Sequence, residues 1–186
     1  PLIKSSSTKK ELISKNYILY VGNAYPHKNL KKLIAAYLTL RKTIDIDLIC
    51  IGRRDFFYEK LEKNFSHVKF LHDVDDSQLF DYYTNAKLVV SPSLMEGFGL
   101  PILEAMSLSC PVICSNTKAF SEIGGNGVIY FNPEDSDDLA EKIKTVLQNK
   151  ELRENLIKRG KLQSAKFSWH DTVTKTLKVY ESCNSV

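Results

Sequence analysis

The sequence predicts an α/β fold: a parallel, doubly wound sheet of six strands covered by helices, followed by C-terminal helices. Three observations predict it. Short β-rich runs alternate with stretches of helical periodicity as far as Pro133. The runs are continuously apolar, as expected of strands covered on both faces. The first two stop at a glycine before a helix, the strand-to-helix punctuation of a doubly wound, Rossmann-like sheet.

Tyr17 to Val21 is the first strand and ends at Gly22. After a polar loop, Leu30, Leu33, Ile34, Tyr37 and Leu38 recur at helical spacing. Asp47 to Ile51 is the second strand and ends at Gly52. A helix around Tyr58 to Phe65 precedes a third strand at Val68 to Leu71. Leu79, Tyr82, Tyr83 and Ala86 mark a further helix, and Lys87 to Ser91 the fourth strand. Pro101 to Leu108 reads as a helix, Pro111 to Ser115 as a buried strand and Gly127 to Phe131 as the sixth.

Beyond Pro133 the pattern is wholly helical. Asp135 to Asp138 supply a cap and first-turn acids for a helix carrying Leu139, Ile143, Val146 and Leu147. A second begins near Glu151, with Gly160 a candidate interruption. The last spans Trp169 to Cys183, with Trp169, Val173, Leu177 and Tyr180 on one stripe predicted to be buried. The expected division is a Ser/Lys-rich linker over 1–15, a ligand-binding domain over 16–165 and a closing helix over 166–186.

Bulk properties narrow the function. A chain of 186 residues suffices for one domain with a real core. Its net charge of +4 suits an anionic ligand or a weak pull toward an acidic membrane, and is too small to argue for nucleic acid. No apolar run approaches the roughly 20 residues of a membrane span, and residues 1–15 lack the apolar core of a signal peptide. Cys50, Cys110, Cys114 and Cys183 form no C-x-x-C pair, which points to thiols in a reducing cytoplasm and away from zinc.

In such a sheet ligands bind outside the carboxyl ends of the strands. The densest candidate there is Ser91-Pro92-Ser93-Leu94-Met95-Glu96-Gly97-Phe98-Gly99-Leu100-Pro101, entering a helix that bears Glu104. Its glycines allow close approach of a ligand, and the amides at the helix start suit a phosphate or diphosphate. Glu104, one turn inside, is placed for ribose hydroxyls; Glu96 is placed for hydroxyls of a sugar folded back under the diphosphate. In Gly22-Asn23-Ala24-Tyr25-Pro26-His27-Lys28-Asn29, a cation before a helix runs against the dipole, which an anion bound beside Lys28 would explain. Gly52-Arg53-Arg54 and Leu71-His72-Asp73-Val74 are expected to seat a base through backbone groups, with Arg53 or Arg54 near phosphate or simply exposed. Asp73-Val74-Asp75 and Asp45-Ile46-Asp47 both spell D-x-D; two occurrences in an acid-rich chain read as chance, and no metal is expected.

Glu96 through Glu104 matches the Glu-x7-Glu motif of retaining glycosyltransferases of the two-domain GT-B architecture, family 4. Tyr17 to Asn29, Ser91 to Ala105, Pro111 to Ser115 and Glu122 to Pro133 also resemble that family's donor-binding domain, which covers about residues 16–165 here. The resemblance implies the C-terminal half of a GT-B fold, without the N-terminal acceptor domain, that binds a nucleotide-diphospho-sugar and needs no metal. It implies that Glu104 binds ribose, that Glu96 binds the donor sugar, and that Gly97, Phe98, Gly99 and Leu100 offer amides. Lys28 would contact the diphosphate; with Glu96 it is the expected catalytic pair. Gly22, Asn23, Arg53 and Val74 complete the expected donor site. Two departures stand out. Asn23 occupies a place where the family often has arginine, and Ser109 follows the Glu104 helix where a glycine is usual.

The implied partners are a nucleotide sugar, a glycan or lipid-linked acceptor and the absent acceptor domain. The implied setting is the cytoplasm, with peripheral association at the inner membrane face. GDP-mannose is the first candidate donor, from the Pro26-His27-Lys28-Asn29 variety. The rival readings are a nucleotide-sugar-binding subunit without chemistry, or an epimerase or sugar phosphorylase on the same fold.

Overall fold

The computed structural model describes residues 16–183. The linker predicted over 1–15 lies outside them. Six strands form one parallel sheet: β1 (Tyr17–Val21), β2 (Asp47–Ile51), β3 (Lys69–Leu71), β4 (Leu88–Ser91), β5 (Val112–Ser115) and β6 (Ile129–Phe131). Their spatial order is β3-β2-β1-β4-β5-β6. The order reverses between β1 and β4, so the loops after those two strands face each other across the switch point.

Each predicted strand is present, with ends moved by at most a few residues. Alternate residues of β1 feed two separate cores: Ile18 and Tyr20 one, Tyr17 and Leu19 the other. The first core is closed by α1 (Leu30–Leu40), α2 (Phe56–Asn64) and α6 (Ser136–Gln148), through residues such as Leu33, Tyr58 and Ile143. The second is closed by α3 (Asp76–Asn85), α4 (Leu100–Ser107) and α5 (Lys118–Gly124), through Tyr83, Ile102 and Phe120. With both faces covered, the strand interiors are apolar, and polar residues stand only at strand ends, such as Asp47, Lys69, Ser91 and Ser115.

Capping sets the helix starts. Asp55 accepts from the Tyr58 amide at 2.9 Å and starts α2 two residues earlier than periodicity suggests. Asp75 forms a capping box with Gln78 at the head of α3, and Asp135 caps α6. The cap role accounts for Asp75 of the second D-x-D. In the first, Asp47 pairs with Lys69 at 2.7 Å.

Two expectations need correcting, and one helix was not foreseen. The short helix α5 has no counterpart in the sequence reading, because seven residues are too few to display a period; the Thr117 cap and the glycines at 124 and 125 were its signals. Gly160 does not interrupt its helix: α7 (Lys150–Ser164) runs through it, and the glycine serves close packing, since a Cβ on Gly160 would lie 3.1 Å from Met106 Cγ and one on Gly127 2.9 Å from Gly160 Cα. The stripe on α8 (Trp169–Cys183) is not buried; Trp169 is 60% and Tyr180 64% exposed, and α8 contributes nothing to either core. Among the described residues, no helix is long and apolar enough to cross a membrane.

Ser109 holds φ 65°, a left-handed conformation in which a Cβ is strained. Ser109→Gly is expected to stabilise the chain by about 0.5–1 kcal/mol, read as a higher midpoint in thermal or urea unfolding.

Candidate functional site

At the carboxyl end of β4 the chain passes through the turn over 92–99 into α4. Gly99 is the N-cap, at φ 111°, and a Cβ there would meet the Phe120 ring at 2.9 Å. Only glycine fits both limits. No side chain caps α4. The amides of Gly97, Phe98, Gly99 and Leu100 find no acceptor among the described residues, so the positive end of the helix is open. Leu100 and Pro101 begin α4. The proline loses no donor that the helix needed.

Gly97 differs from Gly99. A Cβ built on it would have no heavy atom within 4 Å, and its φ is ordinary. Nothing in the fold demands a glycine there; a ligand lying against the backbone would. Gly97→Ala is expected to leave the melting temperature within about 1 °C and to weaken nucleotide-sugar binding about tenfold. Equal affinity of the two forms in a calorimetric titration would remove Gly97 from the site.

The loop after β1 meets this turn. Pro26–Lys28 form one 3-10 turn that the sequence reading did not foresee, and Asn29 follows it at φ 57°. The Leu94 amide donates to the His27 carbonyl at 2.8 Å, joining the two loops. That contact brings Lys28 to Glu96: Nζ lies 2.8 Å from Oε1 and 2.9 Å from Oε2. The Ser93 hydroxyl, almost wholly buried, donates to the same Oε1 at 2.7 Å. Lys28 and Glu96 keep only 19% and 13% of their side-chain surface exposed, so solvent screens this pair weakly.

Buried tyrosines support the site from beneath. Tyr20 donates to the Asn23 carbonyl at 2.5 Å and Tyr58 to the Gly22 carbonyl at 2.7 Å, fixing the loop after β1. Tyr83, on α3, donates to Glu104 Oε2 at 2.8 Å. Burial pushes the hydroxyl pKa of all three upward, so they stay protonated donors. The Glu104 carboxyl is itself held above the ordinary carboxylate value: burial is the main cause, Asp76 adds to it, and the Tyr83 hydrogen bond opposes both. Sequence reading found Glu104 and Glu96 but not their partners Tyr83 and Ser93. A tyrosine on a helical stripe reads as core, and a serine in a loop carries no signal of its own.

The third predicted loop pair lies beside these along the sheet edge. Gly22 N donates to Ile51 O at 2.9 Å and Gly52 N to Leu71 O at 3.1 Å, stepping from β1 to β2 to β3. His72 links the Gly52 carbonyl to Glu62 on α2, each at 2.5 Å. A carbonyl only accepts, so Nδ1 carries a hydrogen there. This bond to His72 is the chief reason the Glu62 carboxyl lies below its ordinary value. Arg54 pairs with Glu62 at 3.3 Å, whereas Arg53 is exposed and makes no ion pair among the described residues. Val74 packs at the margin of the second core. Asn23 turns its side-chain oxygen to the Tyr25 amide at 3.3 Å, so its own loop occupies it.

A concavity of about 460 Å³ lies instead at the amino ends of the strands, lined by Asn16, Asp45, Lys87 and Arg153 among others. Arg153 donates there to the Val146 and Leu147 carbonyls and so finishes α6. A second concavity, of about 320 Å³, lies at the carboxyl ends of β5 and β6, lined by Asn116, Asn132 and Lys142 among others.

Comparison with known proteins gives the family and the fold. The family model described as glycosyl transferases group 1 matches residues 4–163. An O-antigen chain mannosyltransferase B of Escherichia coli is 35% identical over 181 residues, which cover 93% of this chain and 48% of that protein. An O-antigen chain mannosyltransferase of Salmonella typhimurium is 35% identical over 157 residues, 79% of this chain and 44% of its own. The chain thus spans about half the length of these relatives. Among solved structures, a sucrose-phosphate synthase from Thermosynechococcus elongatus superposes with TM-score 0.79 at 25% identity, covering 91% of this chain and 46% of that one. The fold is also shared with an Anabaena protein, HepE, solved with UDP and glucose, at TM-score 0.75 and 22% identity over 91% of this chain and 48% of that one. With a Rossmann-like sheet, the Glu96–Glu104 helix entrance and a family match over most of its length, this chain belongs to the group 1 glycosyl transferases.

Proposed function

We propose that the chain is the donor-binding half of a retaining, metal-independent GT-B glycosyltransferase, moving a hexose from a nucleotide-diphospho-sugar to a hydroxyl of a glycan or lipid-linked acceptor. GDP-mannose is the donor placed first, because relatives of this chain are named as mannosyltransferases. The observation that carries the reading is the meeting of an uncapped, glycine-bracketed helix entrance with Glu96 and Lys28 in one cluster. The open amides from Gly97 to Leu100 and the Lys28 ammonium are donors for a diphosphate. Glu96 would take sugar hydroxyls, and Glu104 the ribose. The β2 and β3 loops, with Arg53 and Val74, would flank the base, beside Gly22 and Asn23.

In the reaction, the acceptor oxygen bonds to the anomeric carbon as its bond to the phosphate oxygen breaks. Attack comes from the same face, through an oxocarbenium-like state, and the acceptor proton passes to the departing phosphate oxygen. The protein's part is positioning and stabilisation of the negative charge that grows on the diphosphate. The acceptor would be held by a further domain, with peripheral membrane association where it is lipid-linked. Residues 1–186 alone are therefore expected to bind donor but transfer little.

The test is a thermal-shift and calorimetric panel of GDP, GDP-mannose, UDP, UDP-glucose and inorganic phosphate with EDTA present. One nucleotide and its sugar should bind, and at 100 times the dissociation constant should add about 2.7 kcal/mol of stability. Binding that appears only with a divalent ion would overturn the metal-independent reading, and binding of phosphate alone would favour a phosphorylase.

A further inference from the structure

The Glu96 carboxylate has two kinds of partner. Both oxygens face the Lys28 ammonium, at 2.8 and 2.9 Å, and Oε1 also accepts from the Ser93 hydroxyl at 2.7 Å. In this arrangement Lys28 and Glu96 satisfy each other. A ligand carrying both a sugar and a diphosphate offers each a different partner: phosphate oxygens for the ammonium, hydroxyl donors for the carboxylate. As the ammonium turns to phosphate, the carboxylate loses the contact that covers both its oxygens. A glutamate side chain left so would regain rotamer freedom, which binding the sugar would have to remove again.

Ser93 does not face that exchange. It is 1% exposed, sits three residues before Glu96 in the same turn, and is followed by Leu94, whose amide is tied to the His27 carbonyl. Its hydroxyl hydrogen is committed to Oε1, leaving Oε2 and the second lone pair of Oε1 to the ligand. We propose that Ser93 is a positioning residue, whose hydroxyl keeps Glu96 aimed at the sugar while Lys28 passes to the diphosphate. The proposal rests on the donor-site reading above. It also requires that Ser93 matter for the sugar part of the ligand and not for the nucleotide part.

Calorimetry on the full chain tests it with two ligand pairs, GDP with GDP-mannose and UDP with UDP-glucose, using the pair that the unaltered chain binds. Ser93→Ala should weaken the nucleotide sugar about tenfold, as for a lost hydrogen bond to a charged group, and change the nucleoside diphosphate less than about twofold. In a Glu96→Ala background the same substitution should change nucleotide-sugar affinity less than about twofold, since the group it positions is gone. Ser93→Cys, a near-isostere with a weak donor, should show the same split and serves if the alanine form does not fold. Equal weakening of both ligands, or a loss that persists without Glu96, would overturn the proposal while leaving the donor site standing. An unaltered chain that binds none of the four would sink the donor site and this proposal together.

Discussion

Under the proposed function, Lys28→Ala is expected to slow sugar transfer, in a protein that includes the proposed acceptor domain, about 100-fold or more, the scale of losing one preorganised donor to a developing oxyanion. The structure gives the expectation a second part. Lys28 engages both oxygens of Glu96 and is mostly shielded from water, so its removal leaves a carboxylate facing the incoming diphosphate with no cation between them. Nucleoside diphosphate binding should therefore fall as well, through lost attraction and added repulsion. The fold should survive, because the cores contain neither residue. Lys28→Arg retains the charge but replaces a compact ammonium by a planar fork, and should recover only part of the rate. Initial rates with saturating donor, set beside the GDP titration, separate the two effects. A loss of less than about threefold, near 0.7 kcal/mol, would remove Lys28 from the charge-stabilising role.

The parts of this site that were legible in the sequence are those whose residue types conflict with their surroundings. Six strands could be read because a sheet covered on both faces confines polar residues to strand ends, as at Asp47, Lys69, Ser91 and Ser115. The turn from Glu96 to Pro101 stood out because glycines, an acid and a proline interrupt an otherwise apolar stretch. Lys28 stood out because a cation precedes a helix. What stayed hidden was whatever needed partners distant in sequence. Tyr83 and Glu104 are 21 residues apart and Lys28 and Glu96 68 apart, and no local pattern encodes either meeting. The buried stripe assigned to α8 failed for a related reason: periodicity reports that a helix has an apolar face, not what covers it. Gly160 was misread because a helix-breaking residue and a close helix contact call for the same amino acid.

Glu104→Gln is expected to move stability and binding in opposite directions. Burial holds the Glu104 carboxyl above its ordinary value, with Asp76 adding to the effect. A carboxyl raised on folding favours the folded state when protonated; that contribution is present at low pH and is lost as the pH rises through the folded-state value. Above it, the charge is carried at the expense of the fold. Glutamine removes the charge and still accepts from the Tyr83 hydroxyl, so the variant should melt higher than the parent at pH 7.5. The gap should narrow as the pH falls through the carboxylate range. Binding should show the reverse. Hydroxyl donors lose a charged acceptor, at about 1.5–3 kcal/mol, and nucleotide affinity should drop about tenfold to 100-fold. A core acid without a ligand would give the first result and not the second; an acid needed chiefly to anchor Tyr83 would melt lower when replaced. A half-buried carboxylate that accepts ligand hydroxyls gives both, because the desolvation that disfavours its charge also strengthens the hydrogen bonds it accepts.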